Sequence, residues 1–534
     1  MSVAGKKLTQ NSILTFFLVV MMVVSSNDII SFFYGMTLKP GFVLIVLFSF
    51  FSIGMMSFSK SINWVDARDI PIIMWVFLCI VFCFCYGKSR NYVYTFSAIV
   101  YVGMALSAKS DFFLYKKNIV LSAFVNSGVF IALIGIVQFC LGVAGLGEYA
   151  FVRQWWYEGV IARVNGLSYE PSYYGLVVTP YLVFSFLAVD TSISHKVGNK
   201  SINILFLLST IALVISSSRV SIVFAFIFLA LLVLYKAKVF GKRVFLIAVT
   251  RFLFVVFLSV VYFLSVSLAT DLLSDRANSP EDVENTPAQV TNNKTPNESL
   301  SSSILEQTRN DSSDKNSDNA VLKGSNKYNI KLNKAVTADY NTELDKELPL
   351  DYLRRVEIKK DDSTVSEDDK KISPNHQSVF SGTGLEGEPS HSVVTRWNDF
   401  NNTISVAKKH IIYGVGLGGI AYEIAREKGI YNISSNNVRQ YEGLVPFVEV
   451  SAATGVLGLF LFLLWIVIVT MPYIVYPVLR KDCSSEKLIV SFYCLAVLAQ
   501  LLLMQSNQNI LRMYFWVNVF IMMVFVYSSK NQTE

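Results

Sequence analysis

The chain has 534 residues, of which 53% are hydrophobic and only 16% are charged, and its mean hydropathy is +0.46. Soluble domains rarely reach such values, so the composition excludes an ordinary soluble protein and indicates a polytopic membrane protein. The net charge of +7 does not indicate nucleic-acid binding, because the lysines and arginines are spread over short loops between apolar segments and form no basic stripe with interleaved aromatics.

Apolar segments of bilayer-compatible length follow one another along the chain. Lys6 and Lys7 precede an apolar run that starts at Ile13, and no small-residue cleavage site follows it, so we predict an uncleaved first span. Together with the later segments, this run predicts about twelve transmembrane helices. The later segments lie at about 41–58, 70–86, 92–108, 118–143, 172–189, 201–217, 220–236, 244–269, 444–476, 488–505 and 510–527.

The distribution of cations between loops predicts the orientation in the membrane. Counted from a cytoplasmic N-terminus, alternate loops carry most of the positive charge, and only Lys88 and Arg90 depart markedly from this pattern. The positive-inside rule therefore places both termini in the cytoplasm, and places residues 163–175, 216–219 and 270–443 on the outer face. The cytoplasmic cations are Lys60, Arg68, Lys109, Lys116, Lys117, Lys196, Lys200, Lys236, Lys238, Lys242, Arg243, Arg480, Lys481 and Lys487.

Four parts follow from this pattern, and they predict an all-α membrane protein with one large outer loop. Residues 1–269 hold the first nine transmembrane helices. Residues 270–390 form a hydrophilic insert with few aromatics, which we predict to be disordered. Residues 391–443 regain apolar spacing suited to short amphipathic helices on the membrane, and 444–534 hold three further helices and a short cytoplasmic tail.

Cysteine usage argues against disulfides and against cysteine-based metal sites. Five of the six cysteines lie inside apolar runs, Cys483 lies in a basic loop, and the hydrophilic insert has none. No cluster of metal-ligating residue types is visible elsewhere in the sequence. We therefore predict a protein without a metal or another cofactor.

Residues 163–175 combine a guanidinium, a carboxylate and turn-forming residues directly before an apolar run. Arg163 is a candidate phosphate ligand, and the alternative is an anchor at the membrane interface. Glu170 is a candidate catalytic carboxylate. Its alternative is structural, because an acid followed by Pro171 is typical of a helix start.

Arg219 follows three serines at a connection between two apolar segments that is too short to be a free loop. A guanidinium there is suited to bidentate binding of diphosphate oxygens, whereas the alternative is a snorkelling boundary residue.

Further candidates lie in the ordered part of the outer segment. Arg396 is a possible anion ligand, and Arg426 and Arg439 are weaker candidates of the same kind. His410 is a candidate general base, although a histidine next to Lys408 and Lys409 is more often solvated. The glycines of residues 414–419 satisfy G-x-G-x-x-G, but no strand-helix-strand unit surrounds them, so a dinucleotide site is rejected. A phosphate-binding backbone nest and a tight turn between surface helices both remain open.

These stretches resemble motifs of one family. Residues 163–175 (RVNGLSYEPSYYG) are similar to the R-x-x-G-x-x-x-E-P-N-x-x-G outer-loop motif of bacterial polysaccharide polymerases. Residues 217–221 resemble the S-R-G/S motif of the same superfamily, which unites O-antigen polymerases with O-antigen ligases. Residues 410–419 resemble its h-P-x-x-G-x-G-x-G-x turn, and residues 447–458 its L-x-x-x-A-E-x-G-x-x-G span. The likeness covers about 160–235 and 390–470, with a large outer loop between spans in the family's place.

The resemblance implies a membrane glycosyltransferase of the bacterial plasma (inner) membrane that polymerises lipid-linked repeat units of O-antigen, capsule or a related polysaccharide. Its donor would be the growing chain on undecaprenyl diphosphate, and its acceptor a new lipid-linked repeat unit. On this interpretation Arg163, Arg219 and Arg396 contact the diphosphate, and Glu170 or His410 orients or deprotonates the acceptor hydroxyl. Membrane lipid, a chain-length regulator and a flippase of the same pathway are the further partners expected.

Two alternatives remain beside the polymerase. An O-antigen ligase typically has a His-Asn pair just before the last motif, whereas this chain has Leu444 and Val445 there, and Ala453 stands where an acid is usual. A flippase of lipid-linked sugars or another transporter should show mid-span charges and related halves with broken helices. Here the polar candidates gather at one face, and no repeated halves are detected.

Overall fold

The computed structural model describes residues 3–26, 32–33, 37–58, 66–146, 157–158, 161–168, 170–191, 193, 198–277, 391–431, 441, 445–480, 483–506 and 509–530. Over these ranges the chain is almost entirely α-helical. The strands within them are two antiparallel pairs of two-residue strands, β1 (Phe32–Phe33) with β2 (Thr37–Leu38) and β3 (Tyr157–Glu158) with β4 (Ile161–Ala162). Most of the predicted disordered insert lies outside these described residues.

Fifteen helices are found in the described part of the chain. In chain order they are α1 (Val3–Ser25), α2 (Pro40–Ser57), α3 (Ile70–Tyr86), α4 (Ser89–Ser107), α5 (Asp111–Tyr115), α6 (Lys117–Val143), α7 (Pro171–Ala188), α8 (Asn199–Ile215), α9 (Arg219–Phe240), α10 (Lys242–Ala277), α11 (His391–Lys409), α12 (Ile420–Glu427), α13 (Pro446–Leu479), α14 (Ser485–Met504) and α15 (Met513–Lys530).

Every apolar segment predicted from the sequence corresponds to one of these helices. Within the described ranges, seven helices are long and apolar enough to cross a membrane by length and composition, namely α2, α6, α7, α9, α10, α13 and α14. Shorter apolar stretches lie in α1, α3, α8 and α15. The prediction of an all-α membrane protein is therefore confirmed, whereas the count of twelve spans stays a prediction. Helices α11 and α12 lie within residues 391–443, and the location of this segment on the outer face stays a prediction.

Helix α7 lies at the centre of the bundle and packs against α6, α8, α9 and α14. Almost all of its side chains are buried, including Tyr174 and Tyr181. Close approach to α6 requires glycine, because a Cβ on Gly135 would lie 2.1 Å from the Tyr174 hydroxyl oxygen. At the C-terminal end of α7, the fully buried Lys236 of α9 donates to the carbonyls of Phe186 and Val189, each at 3.1 Å. The contact at Gly135 sets how closely α7 approaches α6, and the Lys236 hydrogen bonds satisfy carbonyl groups at the C-terminal end of α7.

The two ends of the bundle differ in character. We call the end where α7 and α9 begin the site end, because the described candidate residues lie there. At the opposite end, Asp69 is buried and accepts hydrogen bonds from Lys109 at 3.2 Å and from the Tyr527 hydroxyl at 2.5 Å. The buried charges of Asp69 and Lys109 are thus paired with each other, and this network links α3 to α15 and to the end of α4.

Helix α13 is broken inside its apolar length. Gly455 has φ 70° and ψ −178°, which releases backbone groups that a continuous helix would pair. Residues 411–416 replace those partners. The amides of Val415 and Gly416 donate to the carbonyls of Ala452 and Ala453 at 3.0 and 2.9 Å, and the amide of Val456 donates to Ile411 at 2.9 Å. Within an apolar helix of this kind, irregular backbone is tolerated only when other parts of the protein satisfy its polar groups, as residues 411–416 do for α13.

Candidate functional site

The first turn of α7 begins with the predicted carboxylate. Glu170 is the N-cap residue and Pro171 the first helical residue, so this dipeptide does begin a helix, and the role of the carboxylate stays a prediction. The Glu170 side chain does not cap the helix through a hydrogen bond, and it accepts instead from the Ser172 hydroxyl at 3.0 Å. The carboxylate of this residue is therefore not used to cap the helix and is bound by a neighbouring hydroxyl instead.

Arg163 precedes α7 in a loop held from several sides. Its guanidinium donates to the Ser217 carbonyl at 3.4 Å, and the neighbouring Val164 amide donates to Ile215 at 3.3 Å. Further along the loop, Gln138 of α6 donates to the Gly166 carbonyl at 2.8 Å. The two sequence motifs centred on Arg163 and on the serines of residues 216–218 are thus in direct contact, although 54 residues separate Arg163 from Ser217.

The serine corner, residues 216–218, turns the chain from α8 into α9 and ends at Arg219. Ser217 adopts φ 49°, a left-handed conformation that is uncommon for any residue but glycine. Its hydroxyl lies 2.7 Å from that of Tyr262. Ser218 caps α9 by accepting from the Ser221 amide, so the exposed Arg219 is placed at the first position of a helix, where the dipole favours an anion.

Arg512, which the sequence reasoning did not select, belongs to the same region. It lies between α14 and α15, and its guanidinium carbon is 4.6 Å from the ring centroid of Tyr173, in the first turn of α7. The signal that could have found it is the one used for Arg219, namely an arginine immediately before an apolar span in a loop predicted to lie on the outer face. Arg163 therefore contacts the serine corner, Arg512 contacts the first turn of α7, and Arg219 directly follows the serine corner in the chain.

His410 lies at the end of α11 and contacts a carboxylate that was not predicted. Its Nε2 atom is 3.6 Å from a carboxylate oxygen of Glu423 in α12. Burial lowers the pKa of His410, Lys409 and Arg426 lower it further, and Glu427 opposes them. The imidazole is therefore mainly neutral at pH 7, the state in which it can accept a proton.

Glu423 contacts two further side chains in addition to His410. It accepts a hydrogen bond from the Tyr86 hydroxyl and lies 3.6 Å from the guanidinium of Arg426. In the sequence, Glu423 is one of several charged residues in a short amphipathic segment, so nothing distinguished it from a solvated surface residue. Arg426 itself is exposed over 64% of its side chain.

The glycines of residues 414–419 serve close packing. A Cβ on Gly414 would lie 1.9 Å from the Ala453 carbonyl oxygen, and one on Gly418 would lie 2.4 Å from the backbone of Arg90. The amides of Val415, Gly416 and Gly419 all donate to protein carbonyls. These contacts favour the tight-turn interpretation over the phosphate nest, because three of the amides in this segment already donate to protein carbonyls.

Glu449 is a second carboxylate that the sequence reasoning did not select. It lies in the first turn of α13 and is 3% exposed. It accepts from the Ile510 amide at 2.8 Å, and Gln505 accepts from the Phe447 amide at 3.1 Å. The start of α13 is therefore fastened to the loop that carries Arg512. Ala453, where the resembling motif has an acid, lies one helical turn further on and is fully buried.

The remaining candidates cannot be placed in the site. Arg396 lies in α11, but its side chain is outside the described residues, and so is the whole of Arg439. In the part of the chain that the structure describes, no three His, Cys, Asp or Glu residues come together to hold a metal ion. The described cysteines are free thiols, of which Cys85 and Cys140 are exposed.

No protein-family model matches the chain, and no curated protein is significantly similar to it.

Proposed function

We propose that the protein is a membrane glycosyltransferase that polymerises lipid-diphosphate-linked oligosaccharide repeat units at the outer face of a bacterial plasma membrane. The contact between the Arg163 loop and the serine corner carries this proposal. It brings two arginines, on elements far apart in the sequence, to the start of the central helix α7. The resemblance of both motifs to polysaccharide polymerases supplies the reaction.

The proposed reaction requires few chemical groups from the protein. A sugar hydroxyl of the acceptor attacks the anomeric carbon of the donor, a new glycosidic bond forms, and the bond to the lipid diphosphate breaks with its electron pair on the leaving oxygen. Holding and neutralising that dianionic leaving group is the main requirement. We assign it to Arg163 and Arg219, with Arg512 as a third cation. Guanidinium groups suit it because they bind phosphate oxygens in a bidentate manner.

The hydroxyl that attacks must also be oriented and must lose its proton. Glu170 is the first candidate for this role, because its carboxylate lies beside Ser172 at the start of α7. His410 is the second candidate, since its lowered pKa keeps it neutral and Glu423 orients it. In the proposed orientation both termini are cytoplasmic, twelve helices span the inner membrane, and the site end faces outwards.

Deletion of the gene in its native host, followed by electrophoresis of the surface polysaccharide, tests the proposal. We expect the null strain to carry single repeat units, and wild-type protein to restore the ladder. Arg163→Ala and Arg219→Ala should each lower polymerisation roughly 100-fold or more, the usual loss when one charge-stabilising donor is removed. Arg243→Ala is the matched control and should restore a full ladder, because this exposed arginine lies at the start of α10, just beyond the far end of α9.

The same experiment separates the other classes of protein. Long chains that accumulate on the lipid carrier would identify a ligase, and repeat units retained in the inner leaflet would identify a flippase. Full ladders from both arginine variants, at wild-type protein levels, would refute the assignment of the diphosphate ligands.

A further inference from the structure

A cleft of about 460 Å³ opens at the site end, apart from the arginines around α7. It lies where the end of α3, the start of α4 and helix α12 meet. Its size is within the range of sites that bind small molecules or single sugar units. The residues that matter for its chemistry are Tyr86, Lys88, Tyr422, Glu423, Arg426 and Tyr431.

We infer that this cleft binds a sugar residue of the lipid-linked glycan. The inference rests on the proposed function and adds the place where the carbohydrate part of a substrate is held. Tyr86, Tyr422 and Tyr431 supply flat apolar faces for the C–H surface of a pyranose ring, together with phenolic hydroxyls. Glu423, only 10% exposed, supplies a carboxylate that accepts hydrogen bonds from sugar hydroxyls.

The charges of the cleft favour a glycan over a diphosphate. Glu423 lies 3.6 Å from Arg426, so part of the positive charge is already compensated. Lys88 is held over the ring of Tyr422, 5.4 Å from its centroid. A diphosphate would meet the Glu423 carboxylate directly and be repelled, whereas a hydroxyl would be bound by it. The cleft and the arginines around α7 are therefore chemically distinct.

Neighbouring elements connect the cleft to the proposed diphosphate site. Two residues beyond Lys88, Arg90 borders a small cavity with Glu449 and Asn509. Glu449 accepts from the Ile510 amide, and Arg512 of the same loop lies over Tyr173 at the start of α7. The first turn of α13 and residues 509–512 thus separate the two regions. A bound glycan would pass from the cleft over this short partition to reach the reacting carbon.

A native thiol makes the inference testable on the unmodified protein. Cys85 lines the cleft and is exposed, and Cys140, near the end of α6 at the same end of the bundle, is exposed outside it. The full-length protein in nanodiscs is treated with N-ethylmaleimide, with and without the oligosaccharide that mild acid releases from the host's own lipid-linked repeat unit. Peptide mass spectrometry gives the alkylation rate at each cysteine.

We expect the oligosaccharide to slow alkylation of Cys85 at least fivefold and to leave Cys140 unchanged. In Glu423→Gln and Tyr422→Ala, about tenfold more oligosaccharide should be needed to protect Cys85 to the same extent, since each substitution removes a principal contact. Tyr422→Phe keeps the ring and should retain protection, as should the matched controls Glu427→Gln and Tyr115→Ala. Protection is compared only among variants that elute as monodisperse protein.

Two results would overturn the inference. One is equal alkylation of Cys85 with and without oligosaccharide in the wild-type protein, and the other is wild-type protection in both Glu423→Gln and Tyr422→Ala. Arg219→Ala separates this inference from the proposed function, because it should lose the ladder yet keep Cys85 protection. Protection of Cys85 together with an unchanged ladder in the null strain would support the cleft and refute the polymerase.

Discussion

At the scale of single residues, three cations of the site end contact aromatic rings or main-chain carbonyls. Arg512 lies over Tyr173, Lys88 over Tyr422, and Arg163 donates to the carbonyl of Ser217. Such contacts restrict the positions that each cation can take. Preorganised cations of this kind stabilise a developing anion without first having to reorganise.

Arg512 offers a residue-scale prediction. Its planar guanidinium can stack on Tyr173 while it binds phosphate oxygens, and the compact ammonium of lysine cannot do both. We expect Arg512→Ala to lower the polymerisation rate about 100-fold and Arg512→Lys to lower it about tenfold. The ladder restored in the null strain, with protein levels matched by immunoblot, is the measurement.

Arg480→Ala is the matched control for Arg512, because this exposed arginine lies at the far end of α13. It should behave as wild type. A full ladder from Arg512→Ala would remove this residue from the proposed diphosphate site and leave Arg163 and Arg219 unaffected.

At the scale of elements, the break in α13 and the glycine-rich segment that fills it form one unit. Helix α13 supplies two carbonyls and one amide, and residues 411–416 supply the complementary groups. The glycines permit the approach, since side chains at Gly414 or Gly455 would meet backbone atoms at 1.9 and 2.6 Å. The unit also places His410 and α12, and hence one side of the sugar cleft.

Gly414→Ala should therefore destabilise the protein. Backbone atoms rather than a flexible side chain block the new methyl group, so we expect a loss of about 1–3 kcal/mol in the free energy of unfolding. Thermal unfolding of the purified protein in detergent should show a lower midpoint. The matched control is Gly54→Ala in α2, where no atom lies within 4 Å of the added carbon. A midpoint for Gly414→Ala equal to that of Gly54→Ala would contradict the packing described here.

The sequence predicts helices well and their pairing poorly. Long apolar runs predicted α2, α6 and α13 almost to their ends, because hydropathy is a local property. The break at Gly455 could not be predicted, since its cause is a partner segment some 40 residues earlier in the chain. Within a single apolar run, a glycine is as compatible with a straight membrane helix as with a broken one.

The candidate site shows the same limit. Counting loops predicted that Arg163 and the serine corner share one face, but not that they are in contact. Glu423 and Arg512 were missed because each has an ordinary local explanation, as a solvated helix residue and as a boundary cation. Only the packing of α12 on α3 and of the 509–512 loop on α7 distinguishes them from other charged residues.

At the scale of the whole molecule, the candidate residues that the structure describes are confined to one end of the bundle. The opposite end holds a buried pair, Asp69 and Lys109, with the Tyr527 hydroxyl. This buried pair serves to join helices. The confinement of the candidate residues to one end is what the proposed reaction at one membrane face would require.

The proposed orientation predicts which end can be labelled from outside. In a variant whose native cysteines are replaced by serine, Arg426→Cys should react with a membrane-impermeant maleimide added to spheroplasts. Tyr115→Cys, 86% exposed near the opposite end, should react only after permeabilisation. Labelling in the reverse order would invert the proposed topology and rule out chemistry at the outer face.

The break in α13 also bears on biogenesis. Residues 411–416 are synthesised before α13, and in the proposed orientation they have crossed the membrane by the time α13 enters it. Lipid cannot satisfy the backbone groups released at Gly455. We therefore expect α13 to enter the membrane as an unbroken helix and to bend only when residues 411–416 dock on it. The Gly414→Ala variant would then insert into the membrane normally, but residues 411–416 would fail to dock on α13. On this view the outer end of the protein is completed only after translocation, when residues 411–416 bind to the break in α13, a helix that is synthesised after them.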